Sequence, residues 1–194
     1  MPYKGVTPTL AQLKERRVLV VALTDAPRNP AQARAKALGF DEVLAALYTM
    51  PGFDFPKDVS GRPLVDPRIV EKDASGDYDA RCPAMELPRE WEKPDPRGLQ
   101  KILSTYGLKP NEVLVVGDSV KKDIAIAQAV GCHDAWSEYG TYVSKEYRER
   151  LDIISSPAIT RRHAAHVLEG GVQAVKPTRA LSNFAQVLEL VDAL

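Results

Sequence analysis

The chain has 194 residues, 44% of them apolar, and its 26 Lys and Arg are balanced by 26 Asp and Glu. That length and apolar content suffice for one domain with a buried core, and the cancelled charge excludes the basic field by which proteins hold nucleic acid or an anionic membrane surface. Cys82 and Cys132 have no metal-ligand spacing and make no disulfide framework, no apolar run approaches the ~18 residues of a membrane span, and the opening Met-Pro-Tyr-Lys-Gly lacks an export signal's apolar core, so a cytoplasmic protein is expected.

The predicted elements alternate from the start. Residues 7–16 read as a short helix, with Thr7 as N-cap, Pro8 at the first helical position and Leu10 and Leu13 on its apolar side. Val18 to Leu23 is a continuously apolar strand that ends in the polar cluster Thr24-Asp25. A helix from Pro30 to Leu38, closed by Gly39, leads to a further strand over Val43 to Tyr48. Residues 51–91 then change character to Pro, Gly and Asp with scattered apolar positions, which predicts an irregular insertion or lid within the single domain.

Order returns at Glu92-Lys93-Pro94-Asp95-Pro96, where each proline biases the residue before it toward extended backbone and Asp95 can cap the helix Arg97 to Tyr106. Val113 to Val116 is an uninterrupted β-branched and aliphatic run, the pattern of a parallel strand covered on both faces. Gly117 allows a sharp turn and a close approach, and Asp118 falls just beyond the strand's carboxyl end, where open α/β sheets bind ligands. A helix follows from Ser119, with Ile124, Ala127 and Val130 on one stripe and Gly131 as its C-cap, so that Asp123 lies in its first turn. Beyond it are a short strand over His133 to Trp136, helices over Lys145 to Leu151 and His163 to Leu168, an edge strand over Val172 to Val175, and a terminal amphipathic helix over Leu181 to Leu194. His133, His163 and His166 show no ligand spacing with one another or with cysteine.

This alternation predicts an α/β fold on a parallel sheet. Strand ends of a parallel sheet share one edge, so Thr24-Asp25, Lys93, and Asp118 with Asp123 should converge despite their separation in sequence. A hydroxyl, an ammonium and two carboxylates suit a phosphate with magnesium. Thr24 and the amides after it can donate to phosphate oxygens, Lys93 can neutralise charge on a transferring phosphoryl group, and Asp118 with Asp123 can hold a hard cation that keeps some of its water.

The order of these groups, Thr24-Asp25 after an apolar strand, then Lys93-Pro94-Asp95-Pro96, then Val115-Val116-Gly117-Asp118-Ser119 with Asp123, resembles motifs two, three and four of the haloacid dehalogenase superfamily, in its phosphatase-like branch. The resemblance runs from Pro2 through the terminal helix. Its last motif, flanked by Pro110 and Gly131, is the most specific part, and residues 51–91 the weakest. It implies a three-layer α/β/α Rossmann-like fold and a magnesium-dependent phosphomonoesterase that acts on a small phosphorylated metabolite through an aspartyl-phosphate. Thr24 and Lys93 would be catalytic, and Thr24, Asp25 and Lys93 would form the phosphate-binding set, Asp25 as a loop or capping residue there. Asp118 would coordinate Mg2+, and Asp123 would support the same metal site.

Members of that superfamily open with a strand ending in Asp-x-Asp, whose first aspartate is the nucleophile. The Asp-x-Asp of this sequence, Asp77-Tyr78-Asp79, follows Lys-Asp-Ala-Ser-Gly rather than an apolar strand and reads as a solvated turn. The expectation is therefore a phosphatase of which this chain is a truncated form without its nucleophile; the alternative is a catalytically silent phosphate-binding or interaction module. In the related fold the first strand lies between the strand ending at Leu23 and the one ending at Gly117. Without it, those two strands should pair directly or leave open edges at the centre of the protein.

Overall fold

The computed structural model describes residues 2–52, 55–141 and 175–194. Six strands among them pair in parallel into two three-stranded sheets. The first contains β1 (Val21–Pro27), β2 (Ala46–Met50) and β3 (Ala84–Glu86), with β2 in the middle; the second contains β4 (Leu114–Gly117), β5 (His133–Ser137) and β6 (Ala180–Leu181), with β5 in the middle. The described helices are α1 (Val6–Glu15), α2 (Arg28–Ala37), α3 (Pro67–Ala74), α4 (Arg97–Tyr106), α5 (Ala125–Val130) and α6 (Val187–Val191). The fold is α/β and Rossmann-like, as the alternation of elements predicts.

Side-chain alternation along the strands sets the layers. On β4, Leu114 and Val116 face a cluster built by Leu10 and Leu13 of α1, Ala135, Leu181 and Val187. Val115 and the preceding Val113 face the opposite side, against Leu99 and Leu103 of α4 and Ile126 and Ala127 of α5. On β2, Ala46, Tyr48 and Met50 pack with Ile102 of α4, while Leu47 packs with Ala31 and Ala35 of α2. One helix thus serves both sheets: α4 packs Ile102 against the first and Leu99 and Leu103 beside the second. On the other face, α1 joins Val18 and Val20, which lead into β1, to Leu114 and Val116 of β4.

Between the sheets lies a slot. Among the described residues β1 pairs with β2 and β4 with β5, so each keeps one unpaired edge. A cavity of about 500 Å³ separates those edges, lined by Val20, Val21 and Leu23 on one side and Val113 to Val116 on the other. Leu99 and Ile102 close one face, Val187 and Val191 the other, and Lys93 and Asp123 also line it. Its effect shows in the burial: β2 is fully buried, whereas every residue of β1 and β4 is only half-buried despite an apolar sequence. Of the two arrangements expected for these strands, open edges are the one observed.

Several boundaries differ from the sequence reading. Val18 to Val20 lie outside β1, which instead runs on to Pro27, although its regular pairing with β2 stops at Leu23↔Tyr48 and resumes only at Pro27↔Met50. The predicted strand over Val43 to Tyr48 forms over Ala46–Met50, because Phe40–Glu42 take up a 3-10 turn after Gly39. Residues 51–91 are more ordered than their composition suggests: they contain α3, capped by the Asp66 side chain on the Arg68 amide, and they supply β3 of the first sheet. Asp77 to Asp79 form a turn there, with Asp77 paired to Lys72 and Asp79 accepting from Gln32. The helix expected from Ser119 opens as a π-helical turn, Val120–Ile124, before α5. The terminal helix over Leu181 to Leu194 shortens to Val187–Val191, since Leu181 pairs with Ser137 in β6 and Asn183 caps a 3-10 turn. The predicted elements over Lys145 to Leu151 and His163 to Leu168, and residues 172–174 of the predicted edge strand, lie outside the described residues, and Val175 is not in a strand.

Candidate active site

The carboxyl ends of β1 and β4 carry the groups singled out from sequence, and the connection before α4 brings in Lys93. Its side chain crosses the end of the slot. The ammonium donates to the Leu23 carbonyl at 3.3 Å on the β1 side and to Asp123 Oδ1 at 2.6 Å on the β4 side. Both side chains of this ion pair are 12% exposed, so solvent screens it weakly. The other carboxylate oxygen of Asp123 accepts the Ser119 amide at 3.0 Å. Glycine at 117 has a steric cause: a Cβ there would overlap the Asp123 side chain, which lies directly against the strand end. The π-helical turn thus folds Asp123 back over β4 and aims it at Lys93.

Asp118 is exposed at the tip of β4, and no described side chain donates to its carboxylate. Its backbone carbonyl accepts Trp136 Nε1 at 2.9 Å, and Gly140 leaves room for its Cβ. Trp136 is thus a rim residue that fixes the Asp118 backbone. Tyr139 packs nearby, edge-on to Tyr3 at 5.3 Å between ring centroids. Burial pushes its phenol above the ordinary value, and the charges of Tyr3 and Asp118 add to that rise.

Thr24 Oγ1 accepts the Ala26 amide at 3.1 Å, a local turn that leaves the hydroxyl proton available as a donor. Asp25 has both oxygens engaged: Oδ1 accepts the Lys93 amide at 3.1 Å and Oδ2 accepts the Lys122 ammonium at 2.8 Å. A carboxylate in that position orients the loop; phosphate oxygens would meet its neighbours. Lys122 also reaches Glu92 at 3.0 Å. Burial pulls this ammonium down, but hydrogen bonds to Asp25 and Glu92 and the charge of both carboxylates outweigh it, so the group is held above the ordinary lysine value. Neither Lys122 nor Glu92 is among the site residues expected from sequence. The available signal was the position of Lys122 immediately before Asp123.

Among the described residues no cluster of three or more His, Cys, Asp and Glu side chains is placed to hold a metal. Magnesium nevertheless needs only one or two carboxylates when water and phosphate oxygens complete its shell, and the Asp118 carboxylate, to which no described side chain donates, fits that requirement. Among the described residues, no helix is long and apolar enough to cross a membrane.

A family profile, that of the haloacid dehalogenase-like hydrolases, matches residues 1–131. A phosphoglycolate phosphatase from Pasteurella multocida is 25% identical over 190 residues, covering 98% of this chain and 57% of that protein. A glyceraldehyde 3-phosphate phosphatase from Pyrococcus furiosus is 37% identical over 65 residues, 32% of this chain and 27% of that protein. Among solved structures, a 2-haloacid dehalogenase from Pseudomonas syringae pv. Tomato shares 16% identity over 84% of this chain and 52% of that one, with a TM-score of 0.37. The chain thus spans less than two thirds of these relatives. With a family profile matched over residues 1–131, and with Thr24, Lys93, Asp118 and Asp123 carried at the carboxyl ends of β1 and β4 and in the turns beside them, the chain belongs to the haloacid dehalogenase-like hydrolases.

Proposed function

We propose that this chain carries the phosphate- and metal-binding half of a magnesium-dependent phosphomonoesterase centre that works through an aspartyl-phosphate on a small phosphorylated metabolite. The observation that carries the reading is Lys93 placed 2.6 Å from Asp123 across the end of the slot. In this reading the Thr24 hydroxyl donates to a phosphoryl oxygen, and the Lys93 ammonium offsets the charge that builds on the phosphoryl group while Asp123 and the Leu23 carbonyl hold it in place. Asp118, with Asp123 in support, would hold magnesium, which when bound neutralises charge on phosphate oxygens. In this reading the nucleophilic aspartate belongs to a parallel strand that would fill the slot, pair with β1 and β4 and end beside Lys93. The phosphatase relatives support a phosphorylated substrate, and two free, buried cysteines fit a reducing cytoplasm.

A second reading, a catalytically silent phosphate-binding module, is favoured by the open slot itself, since of the two acidic side chains that line it Asp123 is paired to Lys93 and Glu112 accepts the Lys109 amide. Hydrolysis of p-nitrophenyl phosphate with and without magnesium separates the two. With the strand that carries the nucleophilic aspartate supplied, the phosphatase reading expects magnesium-dependent turnover, with kcat/KM lowered about 100-fold or more by Asp118→Asn and by Lys93→Ala. Magnesium-dependent phosphate binding by calorimetry with no turnover even then establishes the silent module. Absence of both turnover and binding removes both readings.

A further inference from the structure

The phosphate-centre reading assigns no task to Lys122, yet this side chain ties together all three segments of the site. It projects from the π-helical turn of the β4 side, and its ammonium bridges Asp25, two residues beyond Leu23 on β1, and Glu92, the residue before Lys93. Asp25 in turn accepts the Lys93 amide. Lys93 runs the opposite way, from the same 92–93 turn to Asp123. Two lysines therefore cross between the same two segments in opposite directions, and Asp25 links them.

We propose that Lys122 is a positioning residue for Lys93: by bridging Asp25 and Glu92 it fixes the 92–93 turn against the end of β1, so that the Lys93 ammonium is held on Asp123 and the Leu23 carbonyl. A long lysine side chain otherwise loses much of its rotamer freedom to stay in one place. Anchoring its backbone amide shortens the reach that must be ordered. The competing role, a cation offered to the substrate phosphate, fits the charges poorly. Lys122 contributes one positive charge, Asp25 and Glu92 two negative ones, so the trio is net negative and repels an anion.

Exposure ranks the two arms of the bridge. The Asp25 side chain is 19% exposed and Glu92 is 59% exposed, so the arm to Asp25 is the stronger and the arm to Glu92 is largely screened by water. Loss of Asp25's charge should therefore matter more than loss of Glu92's.

The test rests on the site geometry described above and needs no turnover, so its outcome is independent of whether the chain hydrolyses phosphate esters. The readout is the water-exchange rate of the Lys93 ammonium protons, followed through its 15Nζ resonance in labelled chain without ligand. Lys122→Met is expected to raise that rate about tenfold or more, which corresponds to ~1.4 kcal/mol of lost protection. Lys122→Arg, which can span both carboxylates, should return it to within about twofold of the parent. Asp25→Asn should raise the rate more than Glu92→Gln, and Lys121→Met, an exposed control one residue away, should leave it unchanged. If Lys122→Met does not fold, Lys122→Gln gives the same comparison with one weaker donor retained. A folded Lys122→Met or Lys122→Gln chain with an unchanged Lys93 exchange rate overturns the proposal. So does a Lys122→Arg chain that behaves like Lys122→Met.

Discussion

Lys93 and Asp123 are 30 residues apart in sequence and 2.6 Å apart in space, and their contact depends on a glycine that neither touches by hydrogen bond. Because a Cβ at 117 would occupy the volume of the Asp123 side chain, Gly117→Ala is expected to push the π-helical turn off the strand end and to cost about 2–3 kcal/mol, as overpacking of a close contact does. Urea unfolding should show it. Lys93→Met removes the cation from a carboxylate that stays 12% exposed, and the expected loss is about 3 kcal/mol by the same measurement, because most of the cost lies in leaving Asp123 uncompensated. The glycine, both carboxylates and the lysine were legible in the sequence from their places at element ends. Their hydrogen bonds were not, since Asp25 could be read only as a loop or capping residue until Lys93 and Lys122 were seen to converge on it.

At the scale of elements, strand identity followed from uninterrupted apolar runs, and strand ends did not. Val18 to Val20 are as apolar as Val21 to Leu23, yet only the latter find a ladder partner, because the 3-10 turn at Phe40–Glu42 delays the start of β2 to Ala46. β3 escaped the reading since three residues, Ala84 to Glu86, are too few for periodicity to speak; parallel pairing with β2 makes them a strand. The unpaired edges of β1 and β4 have a measurable consequence. An apolar slot of about 500 Å³ should bind an anionic naphthalene dye under native conditions, with fluorescence well above that of an exposed-patch control. Leu19→Lys, at a slot-lining residue already 44% exposed, should reduce that signal without unfolding the chain, as circular dichroism would verify.

At the scale of the molecule, the two sheets hold together through α1 and α4 across the slot and through Lys93 at its end, and α4 meets α5 around Leu99, Leu103, Ile126 and Cys132. Burial raises the thiol of Cys132 above its ordinary value, and burial followed by the charge of Asp41 does the same for Cys82. A raised thiol is neutral in the folded state, so its contribution to stability is fully present below the unfolded thiol value and is lost as pH rises through the folded one. Stability measured by urea from about pH 8 to about pH 11 should therefore fall with an alkaline component, and Cys132→Val should reduce it. Neither thiol should react with Ellman's reagent in the native chain near pH 8.

Sequence alone determined the α/β class, the apolar strands, Gly131 as a helix stop, and which polar groups stand at strand ends, because periodicity, glycine and the position after a strand are local properties. Tertiary structure alone decided that β1 and β4 leave a slot between them, that Asp25 holds lysines, and that Lys122 reaches back to the turn before Lys93. Those facts depend on distances between segments about 30 to 100 residues apart, which the packing of α1 and α4 sets and no local pattern encodes.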